Sequence, residues 1–578
     1  MRMNKKEMIQ LLEKIAVYME IKGENPFKVS AYRKAAGALE KDERTLGEIH
    51  DPSELSGIGK GTASVIEELR ETGTSELLEE LKKDIPEGLL ALLKLPGLGG
   101  KKIGRLYQEL GVVDVQTLKA ACEEEKVQKL SGFGAKSEEK ILATIEEVGS
   151  RPERLPLAYM MEIADWVDTR LEGLKGIIRY ERAGSLRRIE ETVKDLDYII
   201  AVEDAEEVRR QLVEMESVTN IIADGTSKVS LEVSFDFTVG IDFRLVKDEE
   251  FATTLHHFTG SKEHNVLMRQ LAKAQGEKVS EYGVESLDSG KVKTFASEKE
   301  FYKHFNLYYI PPEARSGLHE TEIFKEPKEL LQINDIRADL HMHTTWSDGG
   351  YSVKEMAEAA RERGYEYIAI TDHSKFLQVA NGLNEDRLKR QQEEIQRVNE
   401  TMDDITIFSG IEMDIRPDGT LDFEDETLKE IDFVIASIHS SFSQKRETIM
   451  KRLETALTNP YVNLIAHPTG RLIGRREGYD VDVEQLIEKA AKTGTALELN
   501  ANPHRLDLSA KWLKLAAEKG AVISINTDSH QTSTFTYMEV GAGFARKAML
   551  TKDQVLNTWS KDDFLSFVNK KQNNSGEK

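Results

Sequence analysis

Asp339-Leu340-His341-Met342-His343-Thr344-Thr345-Trp346-Ser347-Asp348-Gly349 brings an apolar strand to two histidines one residue apart, with a carboxylate seven residues after the first. Alternate residues of a strand project to one face, so His341 and His343 point the same way. Imidazole is a good ligand for Zn²⁺, Mn²⁺ or Fe²⁺. Alone, a His-x-His pair also fits two hydrogen-bonded core histidines. Five later strand-like runs end in the same kind of donor: Tyr367 to His373, Ile407 to Glu412, Phe433 to His439, Asn463 to His467, and Ala521 to His530. Six of the 13 histidines sit at such strand ends. Core histidines have no reason to recur in that way.

Amphipathic helical stretches separate these runs, at Ser352–Arg363, Asn384–Met402, Glu447–Thr458, Val483–Lys492 and Ser509–Lys519. With Ala496-Leu-Glu-Leu-Asn500 included, the pattern gives about seven β-then-α units, which argues for a parallel sheet. Donors at the C-terminal end of nearly every strand point to a barrel, whose active sites gather on that face.

Residues 336–545 resemble a PHP (polymerase and histidinol phosphatase) domain, a distorted (β/α)7 barrel with a metal cluster. All nine motif positions are occupied: His341, His343, Asp348, His373, Glu412, His439, His467, Asp528 and His530. The resemblance implies up to three ions, Mn²⁺ or Zn²⁺. His341, His343, Glu412 and Asp528 would hold the first. Glu412 would bridge to a second on His439 and His467, and Asp348, His373 and His530 would hold the third. Clustered divalent ions lower the pKa of bound water and clamp the oxygens of a phosphoester.

The chain has 578 residues, 39% hydrophobic and 31% charged, which fits several soluble globular domains. A net charge of -23 argues against nonspecific adhesion to a polyanion, while leaving room for specific contacts through backbone amides, metals and local basic patches. The lone Cys122 supports no disulfide framework and reads as a buried small hydrophobe. No apolar run reaches the ~18 residues of a membrane span. Charges run through the amphipathic start, Met1 to Gly23, so a cytoplasmic protein without a signal peptide is expected.

Residues 1–150 read as helical. Leu55-Ser-Gly57-Ile58-Gly59-Lys60 returns as Leu95-Pro-Gly97-Leu98-Gly99-Gly100 and as Leu130-Ser-Gly132-Phe133-Gly134-Ala135, each opening a helix. Flanking glycines permit tight backbone geometry and leave main-chain N–H groups at a helix N-terminus, an anion site. The middle residues Ile58, Leu98 and Phe133 would anchor each turn in the core. The repeats resemble helix-hairpin-helix elements, which grip DNA backbones without reading sequence. One belongs to an expected unit at 1–88, the other two to one at 89–150.

Residues 151–245 change to helices followed by strands. Ala183-Gly184-Ser185-Leu186-Arg187-Arg188 offers a phosphate-holding turn with arginines that pair with phosphate oxygens. Asp195 and Asp197 alternate along an expected strand, and Asp242 sits on a second strand that could lie beside it. Three carboxylates on one sheet face suit two Mg²⁺ ions, although an Asp-x-Asp strand also fits a merely solvated face.

Residues 1–315 resemble a family X DNA polymerase. The Gly-Ser…Asp-x-Asp spacing, Asp242 and His257-Phe258-Thr259-Gly260-Ser261 match in order. The resemblance implies that Asp195, Asp197 and Asp242 are catalytic ligands of two Mg²⁺ ions. It implies that Arg154, Gly184, Ser185 and Arg188 contact the triphosphate. His257, Phe258, Gly260 and Asn265 would line the sugar and base, with Arg269 near the template. His257 departs from the tyrosine of several relatives, which leaves sugar selectivity open. Val65 replaces the Schiff-base lysine of the lyase subfamily, so no lyase of that kind is expected, because an imine needs an amine; Lys60 is a poor substitute.

The expected division is therefore a palm at 151–245, a nucleotide-selection subdomain at 246–315, a linker at 316–335 after Pro311-Pro312, a PHP nuclease at 336–570 and a disordered polar tail at 571–578. A polymerase core followed by a metal barrel is the architecture of bacterial family X polymerases. It implies a monomeric repair enzyme acting on gapped or primer-template DNA with dNTPs, with a 3′→5′ exonuclease in the barrel. The alternatives are a small-molecule phosphomonoesterase barrel, or a front half that only binds DNA.

Overall fold

The computed structural model describes residues 3–575 except Asn4, Glu43, Thr45, Glu87, Pro96, Gly97 and 150–152. Between Ala338 and Asn526 lies a seven-stranded sheet whose strands follow chain order, every neighbouring pair parallel. A parallel bridge from Met342 to Ser529 and a hydrogen bond from His343 N to Ser529 O (2.8 Å) bring the last strand back to the first. The barrel is nearly closed. Its strands, such as Tyr367–Ile370 and Phe433–Ser437, are buried at every position. Continuous apolar runs of this kind are what a sheet covered on both faces requires.

The outer helices fall where the sequence places them, among them Val353–Glu362, Glu385–Asn399, Arg446–Thr458, Val483–Thr493 and Ala510–Glu518. The final helix, Lys561–Ser575, closes the floor. Its Phe564 stacks 5.0 Å from Tyr367, 5.1 Å from Phe408 and 5.4 Å from Phe433, at the N-terminal ends of their strands. The opposite end is left for chemistry. Of the tail expected to be disordered at 571–578, residues 571–575 instead continue this helix, with Lys571 Nζ donating to Val462 O (2.7 Å) and Thr495 Oγ1 (2.6 Å); residues 576–578 lie outside the described residues.

The palm is a five-stranded sheet in the order Ile177–Arg182, Leu196–Val202, Thr238–Val246, Lys228–Ser234, Val218–Asp224, with its second and third strands parallel. Following it, helices Phe251–Thr259, Lys262–Ala274 and Glu298–His304 enclose a separate core around Met268, Phe301 and Tyr302. Residues 316–335 depart from the expected linker. Phe324 and Leu330 join that core, Glu320 Oε1 lies 2.9 Å from His264 Nδ1, and Leu331 N donates to Leu550 O of the barrel (3.0 Å). Mixed charge and a diproline suggest a tether; single apolar residues without periodicity pin it down.

The N-terminal helices pack together across the expected boundary at residue 88. One buried cluster runs from Met8 to Ile145. Helix Lys5–Lys22 meets helix Gly100–Leu110 so closely that a Cβ on Gly104 would lie 2.8 Å from Ile21 O.

Candidate active sites

At the C-terminal end of the barrel, Glu412 stands among five imidazoles. Its Oε2 lies 2.8 Å from His373 Nδ1, 3.5 Å from His341 Nε2 and 3.6 Å from His343 Nε2. Its Oε1 lies 2.9 Å from His467 Nε2 and 3.2 Å from His439 Nε2. Asp528 Oδ1 is 3.1 Å from His343 Nε2 and 3.6 Å from His341 Nε2. Asp348 Oδ1 is 3.1 Å from His530 Nε2 and 3.6 Å from His373 Nε2. All nine expected residues thus converge. Among the described residues, three donor groups fall within metal-chelating reach: His341, His343 and Asp528; His373, Glu412 and His439; and His343, Asp348, His373 and His530. His373 therefore faces two groups, where the sequence assigned it to one.

Burial works against protonation of His439, but Glu412 and Asp414 outweigh it and raise the imidazole to about 10. His343 is pushed down to about 3, first by burial and then by the neighbouring His530 and His373. The buried His341 Nε2 has no hydrogen-bond partner among the described residues. Six imidazoles and three carboxylates converging in one pocket fit Mn²⁺, Zn²⁺ or Fe²⁺. His467 (φ 28°) and Asp528 (φ 53°) adopt left-handed backbone, a strain that recurs where geometry is functionally fixed.

Sequence reasoning missed the residues that orient these donors. Glu498 Oε1 lies 2.8 Å from His341 Nδ1 and accepts from Asn526 Nδ2 (2.9 Å), while its Oε2 accepts from His467 N (2.7 Å). Asp414 Oδ2 lies 3.2 Å from His439 Nδ1. A carboxylate behind a histidine fixes its tautomer and raises its basicity. The signal was present: Glu498 is the one charged residue of the buried strand Ala496-Leu-Glu-Leu-Asn500.

In the palm, Asp197 and Asp242 are registered neighbours on the two central parallel strands. Asp195 differs from expectation. It is exposed in the bend just before strand Leu196–Val202, with its Cβ 3.8 Å from the position a Cβ on Gly240 would occupy. Burial, then the charges of Asp195 and Asp242, push the Asp197 carboxyl up to about 7. Three mutually repelling carboxylates are a fit for divalent cations. Two partners of Asp242 were not foreseen: Ser230 Oγ donates to its Oδ1 (2.6 Å) and Lys228 Nζ lies 2.9 Å from Oδ2.

Gly184 has φ 60°, and a Cβ there would lie 2.1 Å from Asp197 Oδ2. Ser185 follows it in the single helical turn Gly184–Arg187. Arg188 donates to the Thr259 carbonyl beside Gly260, and Arg187 pairs with Glu298 (2.7 Å), tying this turn to the next subdomain. Asn265 Nδ2 donates to His257 O (2.7 Å), and Arg244 lies 4.4 Å over the Phe258 ring. Arg269 is exposed near His257, and Arg154 donates to Thr192 at the palm edge.

Residues 339–527 match the PHP domain, residues 254–316 the DNA polymerase beta thumb, residues 3–75 a helix-hairpin-helix domain and residues 89–147 a SAM-like helix-hairpin-helix tandem. Over 566 residues, 98% of this chain and 99% of the relative, the sequence is 57% identical to the DNA polymerase/3′-5′ exonuclease PolX of Bacillus subtilis (strain 168). The chain belongs to the PolX family. Part of it is also 30% identical, over 232 residues, to a probable phosphatase of Thermoanaerobacter sp. (strain X514), 38% of this chain and 89% of that protein. A probable phosphatase of Syntrophotalea carbinolica is 28% identical over 233 residues, 38% of this chain and 90% of that protein.

The PolX-family hairpins repeat one backbone turn. Ile58 N donates to Leu55 O (3.0 Å), Leu98 N to Leu95 O (3.2 Å) and Phe133 N to Leu130 O (3.1 Å). Gly57 (φ 106°) and Gly132 (φ 87°) supply the left-handed residue; Gly97 lies outside the described residues. Ile58 and Leu98 are buried and Phe133 packs partly against the same core. Gly59 and Gly99 begin helices Lys60–Thr72 and Gly100–Leu110 with no side-chain cap among the described residues, and Gly134 O accepts from Ser137 N (2.8 Å) in the third. The first-turn N–H groups of the first two helices are thus not consumed by a capping side chain. Val65 is half-buried against the helical core and Lys60 is exposed.

Proposed function

We propose that this chain is a DNA repair polymerase that adds dNTPs to a primer 3′ end in short gaps at the palm and removes 3′-terminal nucleotides at the barrel. The observation that carries the reading is two separate acidic centres in one PolX-family chain, one of three aspartates and one built around Glu412.

Asp195, Asp197 and Asp242 would hold two Mg²⁺ ions, which lower the pKa of the primer hydroxyl and neutralise the leaving pyrophosphate. The chain's own part is positioning. Arg154 and Arg188 bind the triphosphate, with Gly184 and Ser185 lying against it in the short turn. Phe258 and His257 wall the sugar, Asn265 fixes the His257 backbone, and Arg269 faces the template. Because Arg188 also holds the Thr259 carbonyl, a phosphate drawn to its guanidinium acts on the thumb turn.

In the barrel, the nine donors would hold Mn²⁺ or Zn²⁺, which supplies an activated water and charge neutralisation. Glu498 and Asp414 keep His341 and His439 in the tautomer that presents Nε2 inward. Cleavage at abasic sites and cleaning of blocked 3′ ends use the same phosphodiester chemistry.

Asp195→Ala with Asp197→Ala should abolish primer extension and leave 3′ nucleotide release intact; His341→Ala should do the reverse. Loss of both activities from either change would refute two independent centres. The phosphatase relatives favour a second reading of the barrel, as a phosphomonoesterase. Comparing release of 3′ nucleotides from an oligomer with phosphate release from p-nitrophenyl phosphate, both in Mn²⁺, decides between them.

A further inference from the structure

The chain carries a net charge of -23, yet the seam between palm and barrel is basic. A cleft of about 470 Å³ opens there, lined by Arg154, Arg471, Lys511 and Lys547 against Glu190 and Glu191. A short series of polar contacts leads from the cleft towards each centre. At the palm end, Lys547 Nζ donates to the carbonyl of Arg188, a triphosphate arginine (3.2 Å), and pairs with Glu190 (2.8 Å), while Arg154 donates to Thr192. At the barrel end, Arg471 follows the ligand His467 by four residues, grips Glu191 of the palm (2.8 and 3.1 Å) and donates from Nε to Arg505 O (3.0 Å). Arg505 Nε in turn lies 3.6 Å from Asp528 Oδ2 of the metal cluster.

The loop after His467 leans on the palm, since a Cβ on Gly474 would lie 2.7 Å from Pro156 Cγ. The exposed Arg475 follows Gly474 directly on this loop, and Arg476 Nε donates back to Gly470 O (3.0 Å). Lys511 is exposed with its Nζ 4.4 Å over the half-buried Trp512 ring. The exposed Arg154 and Lys511 leave positive charge in the cleft, the electrostatic part of what holds single-stranded nucleic acid. Double-stranded DNA is already served by the hairpins, whose backbone amides need no cationic groove.

We propose that this cleft is the track along which the unpaired 3′ strand of DNA passes from the palm to the barrel, with Lys511 and Arg475 holding its phosphates. The proposal rests on the two-centre reading above. Arg471 would be the joint, because its guanidinium is bound to the palm while its backbone belongs to the loop of a metal ligand. Nothing is transferred covalently in this step; a melted end changes site without leaving the protein.

The test is the full-length double variant Lys511→Glu, Arg475→Glu, given a primer with three mispaired 3′ nucleotides, dNTPs, Mg²⁺ and Mn²⁺. An excess of unlabelled single-stranded oligonucleotide captures any enzyme that lets go. Two reference reactions are thymidine 5′-monophosphate p-nitrophenyl ester hydrolysis, which needs only the barrel centre, and extension of a matched primer. Both should proceed at the wild-type rate. The fraction of mispaired primers trimmed and then extended before capture should fall several-fold. The log–log salt slope for the mispaired substrate should flatten by about 1.4, roughly 0.7 for each single-strand phosphate that the variant no longer neutralises.

Wild-type partitioning by the variant would overturn the track. So would a raised KM for dNTPs on the matched primer, which would make the cleft an antechamber for triphosphate. If the unmodified protein fails to trim at all, the two-centre reading fails instead, and the outcomes are distinguishable.

Discussion

Gly184→Ala should disable the polymerase while sparing the nuclease. The added methyl would sit 2.1 Å from Asp197 Oδ2 and 3.0 Å from its Cγ. Ordinary van der Waals contact begins near 3.4 Å, so the carboxylate has to retreat by about 1.3 Å or the turn has to open. Asp197 cannot retreat along its strand, because Ala183 N donates to Asp197 O (2.7 Å) and its Cα is registered with Asp242. A displacement of about 1 Å in a catalytic group costs on the order of 100-fold. The left-handed φ of 60° adds roughly 1–2 kcal/mol of local strain for a residue with a Cβ. Single-turnover primer extension should therefore slow by about 100-fold or more, with 3′ nucleotide release in Mn²⁺ unchanged as an internal control of folding. Extension at the wild-type rate would mean that the turn does not brace Asp197, and the assignment of Gly184 to the phosphate loop would fall with it.

Glu412→Gln should lower nuclease activity by roughly 100-fold or more, the loss of several kcal/mol of charge complementarity, and reduce bound metal measured by mass spectrometry. Primer extension by that variant should be normal. Glu498→Gln leaves every donor in place yet should weaken metal affinity by about 10–100-fold, read by competition with a chelator; an unchanged affinity would reduce Glu498 to a packing residue. With its carboxyl pushed up to about 7, Asp197 competes for a proton below that pH. Mg²⁺ affinity should accordingly rise with pH through 7 and flatten above it, and calorimetry at pH 6 in two buffers of different ionisation heat should detect proton release. The same raised carboxyl has a stability signature of opposite sense: cation-free protein loses stability as pH rises from the unfolded value, near 4, through about 7. Asp242→Asn should diminish both effects.

The barrel and the convergence of its donor residues were legible because each strand is a buried apolar run that stops at a donor, a signal repeated too often for accident. Asp197 and Asp242 were legible from the apolar alternation around them. Asp195 was misplaced because alternation holds only inside a strand, and the chain bends one residue earlier. Ser230 and Lys228 could not have been found locally; they reach Asp242 through the pairing of two antiparallel strands, Ser230 opposite Asp242 and Lys228 two residues along. Glu498 was visible but unassigned, since an orienting carboxylate has no spacing rule of its own. The helical units at 1–88 and 89–150 looked separable because the repeat restarts between them, whereas the packing of Gly104 on Ile21 is a contact that only the fold supplies.

The connector at 316–335 sets how far this enzyme can be taken apart. A fragment ending at residue 315 would strip Glu320 from His264 and Phe324 from the thumb interior. A fragment ending at 335 would keep both but lose the Leu550 carbonyl that receives Leu331 N, and Arg546, which donates to Leu331 O (3.3 Å). The polymerase half is thus anchored at its far end to the barrel's outer wall, and the two halves are not interchangeable cassettes. A barrel transplanted from one relative to another has to bring its own socket for the thumb.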